Sequence, residues 1–357
     1  MSDLNEYYIA NFKSQYCEKF NPTFDNRICL YYDAADNQSE CGFCKQPNFT
    51  YRCIADTGRI LPLSYSLVQN YLTCHWMGYL INIRGIRIKD SQTSKPLKMG
   101  MLWDKVLQKH LGGKNKNGSD INIPALIEQY EIEDREVSKV KALFRAYKDL
   151  EIKVDEGGVP QAPINYILKT ETNHEGSPIS CFWGDIKITG YYDCLYDGYF
   201  AEDKLSGRPD NYLDPSFIQS QVGTYFLVDE SLKYCVMRVV RVPDLKSTGS
   251  HKDEDDDIYQ ERCYQDIISR PSRYFIGWST ERKTYGRKFM RSEFDLEEIK
   301  HTYQCVAREI QMAWTNNWFY KESRSCGQIM PGIPCDLKTV CRFNKFDESK
   351  YTIRRRD

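Results

Sequence analysis

A mixed α/β core is the fold class this sequence predicts, and three observations predict it. Between Ile164 and Val242 the chain reads strand, strand, strand, helix, strand. The stretch Ile188–Ser206, ITGYYDCLYDGYFAEDKLS, sets two aromatic runs on either side of Asp197-Gly198, a strong hairpin signal. Asp214-Pro215 then opens the run DPSFIQSQVGTYFLV, with Pro in the first turn of a helix.

The hairpin carries the most specific expectation. A two-residue type I′ turn, with positive φ at both Asp197 and Gly198, pairs Tyr196 with Tyr199, Leu195 with Phe200, Cys194 with Ala201 and Asp193 with Glu202. Lys204 lies two residues beyond Glu202 and shares its face. Opposed carboxylates repel at roughly 5 Å between Cβ atoms. A cation between Asp193 and Glu202 relieves that repulsion. Asp with Glu-x-Lys around a hard cation is an arrangement that cleaves phosphodiesters, because the cation neutralises phosphate charge and activates water. Oxygen ligands select Mg²⁺ or Mn²⁺. In this reading Asp193 and Glu202 bind the ion, and the backbone carbonyl of Asp203 adds a third oxygen. Lys204 orients or deprotonates the water and offsets developing charge.

Composition bounds the rest. The 357 residues suffice for one large domain with additions or for two domains, and 41% hydrophobic residues support a core. The aromatic content of 13%, with 26 Tyr, suits stacking on bases and equally suits half-buried strands. A net charge of −1 excludes a global basic field, so nucleic acid must be met by a local groove. MSDLNEYYIANFK lacks the layout of a signal peptide, and no apolar run is long enough to span a bilayer. The expectation is a cytoplasmic protein with no membrane partner. Its 14 cysteines then point to metal or cluster ligation rather than a disulfide framework.

In chain order, residues 1–60 read as an irregular arm. CGFC at 41–44 is a C-x2-C knuckle, and Cys29, Cys41, Cys44 and Cys53 make a candidate Zn²⁺ set. Isolated thiols are the competing reading. Residues 61–83 read as one helix capped by Ser64 or Ser66, with Leu67, Tyr71 and Cys74 on one face. A second helix covers 96–111 and stops at Gly112-Gly113, and GGKNKNGSD is a solvated loop. One long helix follows at 122–149. The strand at INYILKTET begins the core, taken as 161–245. Gln221 and Tyr225 lie four apart on the helix after the hairpin. The charged stretch 246–262 reads as a solvated linker, and 293–320 as an amphipathic helix. Cys326, Cys335 and Cys341 follow in a C-x8-C-x5-C pattern, before a basic tail at 346–357.

Taken together, GYYD, then EDK, then QVGTY resemble the RecB/AddB-type branch of the PD-(D/E)XK nucleases, which includes CRISPR-associated adaptation nucleases and phage exonucleases. The resemblance covers roughly 61–345 in pieces. It implies a restriction-endonuclease-like mixed sheet flanked by helices, with a helical N-terminal part and a cysteine-cluster tail. It implies that Asp193, Glu202 and Lys204 form the active site, with Gln221 and Tyr225 against substrate and metal. The helix LSYSLVQNYLTCHWMGYL and the tail SCGQIMPGIPCDLKTVC resemble the family's iron–sulfur members. Carried over, Cys74, Cys326, Cys335 and Cys341 hold a [4Fe–4S] cluster, although the family spacing of the last three is C-x2-C-x5-C. A family His that ligates the metal falls at Asp104 of GMLWD, a harder ligand, with His110 or no residue as alternatives. The implied function is a Mg²⁺- or Mn²⁺-dependent DNA exonuclease acting on single strands or free ends, with a helicase or recombination protein as partner. The alternative is an inactive nuclease fold that binds nucleic acid or scaffolds a partner. Oligomeric state is not legible.

Overall fold

A computed structural model describes residues 61–168, 186–315 and 335–353, except 84, 91–92, 116–117, 247–250, 252, 336 and 344–346. The zinc set Cys29, Cys41, Cys44 and Cys53 lies outside the described residues, as does Cys326. The fold is mixed α/β. It divides into two compact units, and Asp90–Ile164 with Gly190–Ile299 makes up one of them.

The other unit opens with strand β1 (Leu61–Ser64) and helix α1 (Tyr65–Thr73). Ser64 Oγ caps α1 by accepting from Leu67 N–H at 3.2 Å. The expected single helix over 61–83 is broken at Cys74, whose backbone is extended (φ −164°, ψ 117°). Helix α2 (His75–Gly78) and a π-helical turn (Tyr79–Ile83) follow. Gly78 permits this break. A Cβ there would stand 2.8 Å from Tyr71 Cα, so the two helices approach backbone to backbone. Strand β2 (Ile86–Ile88) completes the segment before the second unit.

In the second unit, helix α3 (Lys95–His110) ends where expected, with Gly112 at φ +75°. The expected helix at 122–149 is two, α4 (Ile123–Tyr130) and α5 (Asp134–Asp149). Glu131 adopts φ +47°, and Ile132 N–H closes back to Ile127 C=O at 3.0 Å. That six-to-one bond ends α4 and turns Ile132 inward, where it is buried.

Strands β3 (Val159–Pro160), β6 (Cys194–Tyr196), β7 (Tyr199–Ser206), β8 (Tyr234–Arg241) and β9 (Arg287–Met290) form a five-stranded sheet in that order. The β7–β8 pair is parallel, and its neighbours are antiparallel. The crossover between β7 and β8 is helix α6 (Pro215–Val228). The predicted strand at INYILKTET and the strand that leads into the hairpin leave this sheet. They are β4 (Pro163–Leu168) and β5 (Ile186–Tyr191), and β5 lies between β1 and β4 in a three-stranded sheet.

Alternation sets the two faces of the main sheet. Phe200, Cys235, Met237 and Val239 bury against Ile218, Val222, Tyr225 and Phe226 of α6. On the other side Val240 and Leu205 pack with residues of α3, α5 and helix α7 (Asp256–Ser269). Helix α7 corrects the expectation of a linker over 246–262. Asp255 caps it by accepting from Ile258 N–H at 2.7 Å, and Asp256 and Asp257 occupy its first turn. Acidic residues there are stabilised by the helix dipole, so the acidic run starts a helix. The short helix α8 (Pro271–Tyr274) follows, and then helix α9 (Leu296–Thr315) within the span expected to be helical. In the first unit, helix α10 (Lys338–Phe343) precedes strand β10 (Tyr351–Ile353), which pairs with β2. No helix among the described residues is long and apolar enough to cross a membrane.

Candidate active site

The site is built on the β6–β7 hairpin and helix α6. Three of the four expected pairs form: Cys194 with Ala201, Leu195 with Phe200 and Tyr196 with Tyr199. Two details differ from the expectation. Gly198 has positive φ (75°) but Asp197 does not, so the turn is not type I′. The Gly198 carbonyl accepts from Lys233 N–H at 2.8 Å, which fixes the reversal with one left-handed residue. Asp193 stands in the bend before β6 rather than in the ladder, so it does not pair with Glu202. Its Oδ2 instead accepts from the backbone N–H of Asp203 at 3.0 Å.

The bend still brings the charges together. Lys204 Nζ donates to Glu202 Oε2 at 2.8 Å and lies 3.6 Å from Asp193 Oδ2. From α6, Gln221 Nε2 donates to the same Glu202 Oε2 at 2.9 Å and to Tyr225 Oη at 3.2 Å. The five side chains Asp193, Glu202, Lys204, Gln221 and Tyr225 therefore converge. Glu202 is fully buried, and its second oxygen, Oε1, has no protein hydrogen-bond partner.

The electrostatics follow from that burial. Loss of water, then the Asp193 charge, push the Glu202 carboxyl up to about 8, against the opposing pull of Lys204. Burial alone would lower Lys204, but Glu202 and Asp193 outweigh it and hold the ammonium well above its ordinary range. Burial and Glu202 raise Tyr225 likewise, so its phenol stays neutral.

Asp104 on α3 lies within electrostatic reach of this group. Burial first, then Asp193, push its carboxyl up to about 7. Gln108, one turn on, donates to both of its oxygens at 3.1 and 3.3 Å. Asp104 thus feels the Asp193 charge, and among the described residues no group of three His, Cys, Asp or Glu side chains is set to hold a metal ion. His110 packs its ring against Phe144 and Tyr147.

Asp203 turns its side chain to the opposite face. There Arg238, its register partner on β8, donates through Nη2 at 2.6 Å, and both side chains are nearly fully buried. Only the main chain of Asp203 is left to the site. Arg238 was not singled out from the sequence, because parallel register between distant strands has no local signal. Gln108 was legible as an i, i+4 partner of Asp104. Tyr192 was also missed. Its ring packs 5.0 Å from Tyr225 and 5.4 Å from Phe200, and it steadies the phenol.

The buried ion pair gives a stability prediction. Arg238→Met alone strands the Asp203 carboxylate and is expected to cost about 3–5 kcal/mol in urea unfolding. The double variant Asp203→Leu/Arg238→Met, apolar on both strands, is expected to recover most of that loss.

In the first unit, Cys74 and Cys335 pack in one apolar cluster with Leu337, Val340 and Tyr351, and Cys341 is buried. Comparison with protein-family models, with curated proteins and with solved structures finds nothing that matches the chain.

Proposed function

We propose that this chain is a metal-dependent DNA nuclease with a restriction-endonuclease-like core, an exonuclease that hydrolyses phosphodiester bonds in recombination, repair or phage DNA processing. The observation that carries the reading is the convergence of Asp193, Lys204, Gln221 and Tyr225 on Glu202, whose Oε1 is buried without a partner. An orphaned buried carboxylate oxygen beside a second carboxylate fits a hard cation, and the all-oxygen donor set fits Mg²⁺ or Mn²⁺. Asp193, Glu202 and the main-chain carbonyl of Asp203 would hold it. When bound, such an ion supplies charge neutralisation at the phosphate and a water of lowered pKa.

The chain's own residues do the rest. The Lys204 ammonium sits against both carboxylates, 2.8 Å from Glu202 Oε2 and 3.6 Å from Asp193 Oδ2, where a phosphate on the bound ion would lie close to it. It orients water and offsets charge on the phosphate oxygens. Gln221 fixes the Glu202 carboxylate through Oε2, leaving Oε1 for the cation. Tyr225 fixes Gln221 in turn. End-labelled single- and double-stranded DNA is expected to be cut with Mg²⁺ or Mn²⁺ and to survive in EDTA. Binding without turnover under either ion would overturn the reading in favour of an inactive nuclease fold.

The same reading assigns a [4Fe–4S] cluster to Cys74, Cys326, Cys335 and Cys341. The shared packing of Cys74 and Cys335, and the burial of Cys341, support it. Such a cluster would tie α1 to the tail and close a long loop. Protein purified without oxygen is expected to be brown, with absorption bleached by dithionite. Colourless protein would remove the cluster from the account.

A further inference from the structure

We propose that Phe217, backed by Tyr212, is a stacking platform for one unpaired base of a DNA strand, next to the bond held at the acidic cluster. The identity of the strand rests on the nuclease reading above, and the platform itself rests on geometry. Phe217, Gln221 and Tyr225 are spaced four apart on α6 and so form one stripe along the helix. Gln221 donates to Glu202, and Tyr225 accepts from Gln221. Phe217 continues the stripe four residues toward the helix N-terminus, about 6 Å along the axis. There it keeps 48% of its surface exposed, while its neighbour Ile218 is buried.

A single exposed aromatic is ordinary on a protein surface. This one is braced. Tyr212 meets it edge-on, with ring centroids 5.3 Å apart at 83°. Tyr212 itself sits in a 3₁₀ turn, Pro209–Leu213, that directly follows β7 and is fixed at its end. Arg287 Nη1 donates to the Leu213 carbonyl at 2.7 Å, and Asp214 accepts from the Ser216 N–H at 2.9 Å and the hydroxyl at 2.7 Å. Arg241 Nη2 pairs with the exposed Asp210 carboxylate of the same turn at 3.8 Å. A braced aromatic pair in line with the cluster that holds Lys204 matches how single strands are held, with the base on the ring and the phosphate toward the ammonium. A base still paired in a duplex cannot present its face to the ring, so the platform favours single strands or frayed ends.

The test measures binding of a fluorescent single strand in Ca²⁺, with the full chain, so that its result does not depend on cleavage. Phe217→Ala is expected to weaken binding roughly ten- to hundredfold. Phe217→Trp should bind as wild type, and Phe217→Leu, which keeps apolar bulk without a π face, should lose binding like the alanine variant. A strand carrying an abasic site at the contacted position should bind wild type and Phe217→Ala equally. Equal binding of the intact strand by wild type and Phe217→Ala, or no binding by wild type, overturns the proposal. So does an equal loss with the abasic strand. Cleavage by wild type with unchanged binding by Phe217→Ala would retain the nuclease reading and reject the platform. Binding that depends on Phe217 without any cleavage would do the reverse.

Discussion

Lys204→Ala is expected to lower DNA cleavage roughly 10²- to 10⁴-fold while the protein stays folded. The loss follows from the position of the ammonium, bonded to Glu202 and 3.6 Å from Asp193. No neighbouring cation replaces it in contact with either carboxylate among the described residues. The fold survives for an electrostatic reason. With Lys204 gone, the Glu202 carboxyl loses its main counter-charge and rises above about 8, so at neutral pH it is protonated and carries no buried charge. Oε2 still accepts from Gln221. Rate and urea unfolding measured side by side separate the two effects. Full activity in the alanine variant would sink the assignment. Lys204→Arg restores charge but not the compact ammonium, and is expected to regain little rate.

The second large effect is on the pH dependence of cation binding. In the cation-free protein Glu202 titrates at about 8 and Asp104 at about 7, both raised first by burial and then by Asp193. A divalent ion must displace the proton on Glu202. Its affinity is therefore expected to rise roughly tenfold per pH unit up to about 8, or roughly a hundredfold between pH 6 and pH 8. The sign for stability follows from the same shift. A carboxyl whose pKa is higher folded than unfolded contributes stability that is present at low pH and lost as pH rises through about 8. Mg²⁺ is thus expected to raise Tm more at pH 9 than at pH 6. Glu202→Gln removes the titrating group and should flatten that dependence. A Tm increment independent of pH in wild type would contradict the assignment of Glu202 as a ligand.

The parts of this site that were legible in the sequence depend on short-range periodicity. The Asp197-Gly198 turn fixes the register of Leu195 with Phe200, and the two-residue strand period then puts Glu202 beside Lys204. The helical period puts Gln221 beside Tyr225, and through Glu202 the two sets meet. What was not legible depends on contacts between distant segments. Arg238 opposes Asp203 only because β7 and β8 pair in parallel register. The helix over 61–83 breaks at Cys74, although Leu67, Tyr71 and Cys74 keep helical spacing. The break answers to the close approach of Gly78 to Tyr71. At Glu131 nothing in the side chain signals a left-handed residue, and the burial of Ile132 decides it. The acidic start of α7 is legible in either sense, since Asp255 followed by two more acids is a helix N-terminus as readily as a linker.

In the proposed nuclease, Asp193 and Glu202 together hold a hard divalent cation. Titration of Mn²⁺ into wild type and Asp193→Ala at pH 8.5, followed by the loss of the free-ion paramagnetic resonance signal, tests it most directly. One saturable site in wild type, weakened at least tenfold in Asp193→Ala, is the predicted result. Equal binding by the two proteins, or no binding by either, would contradict it.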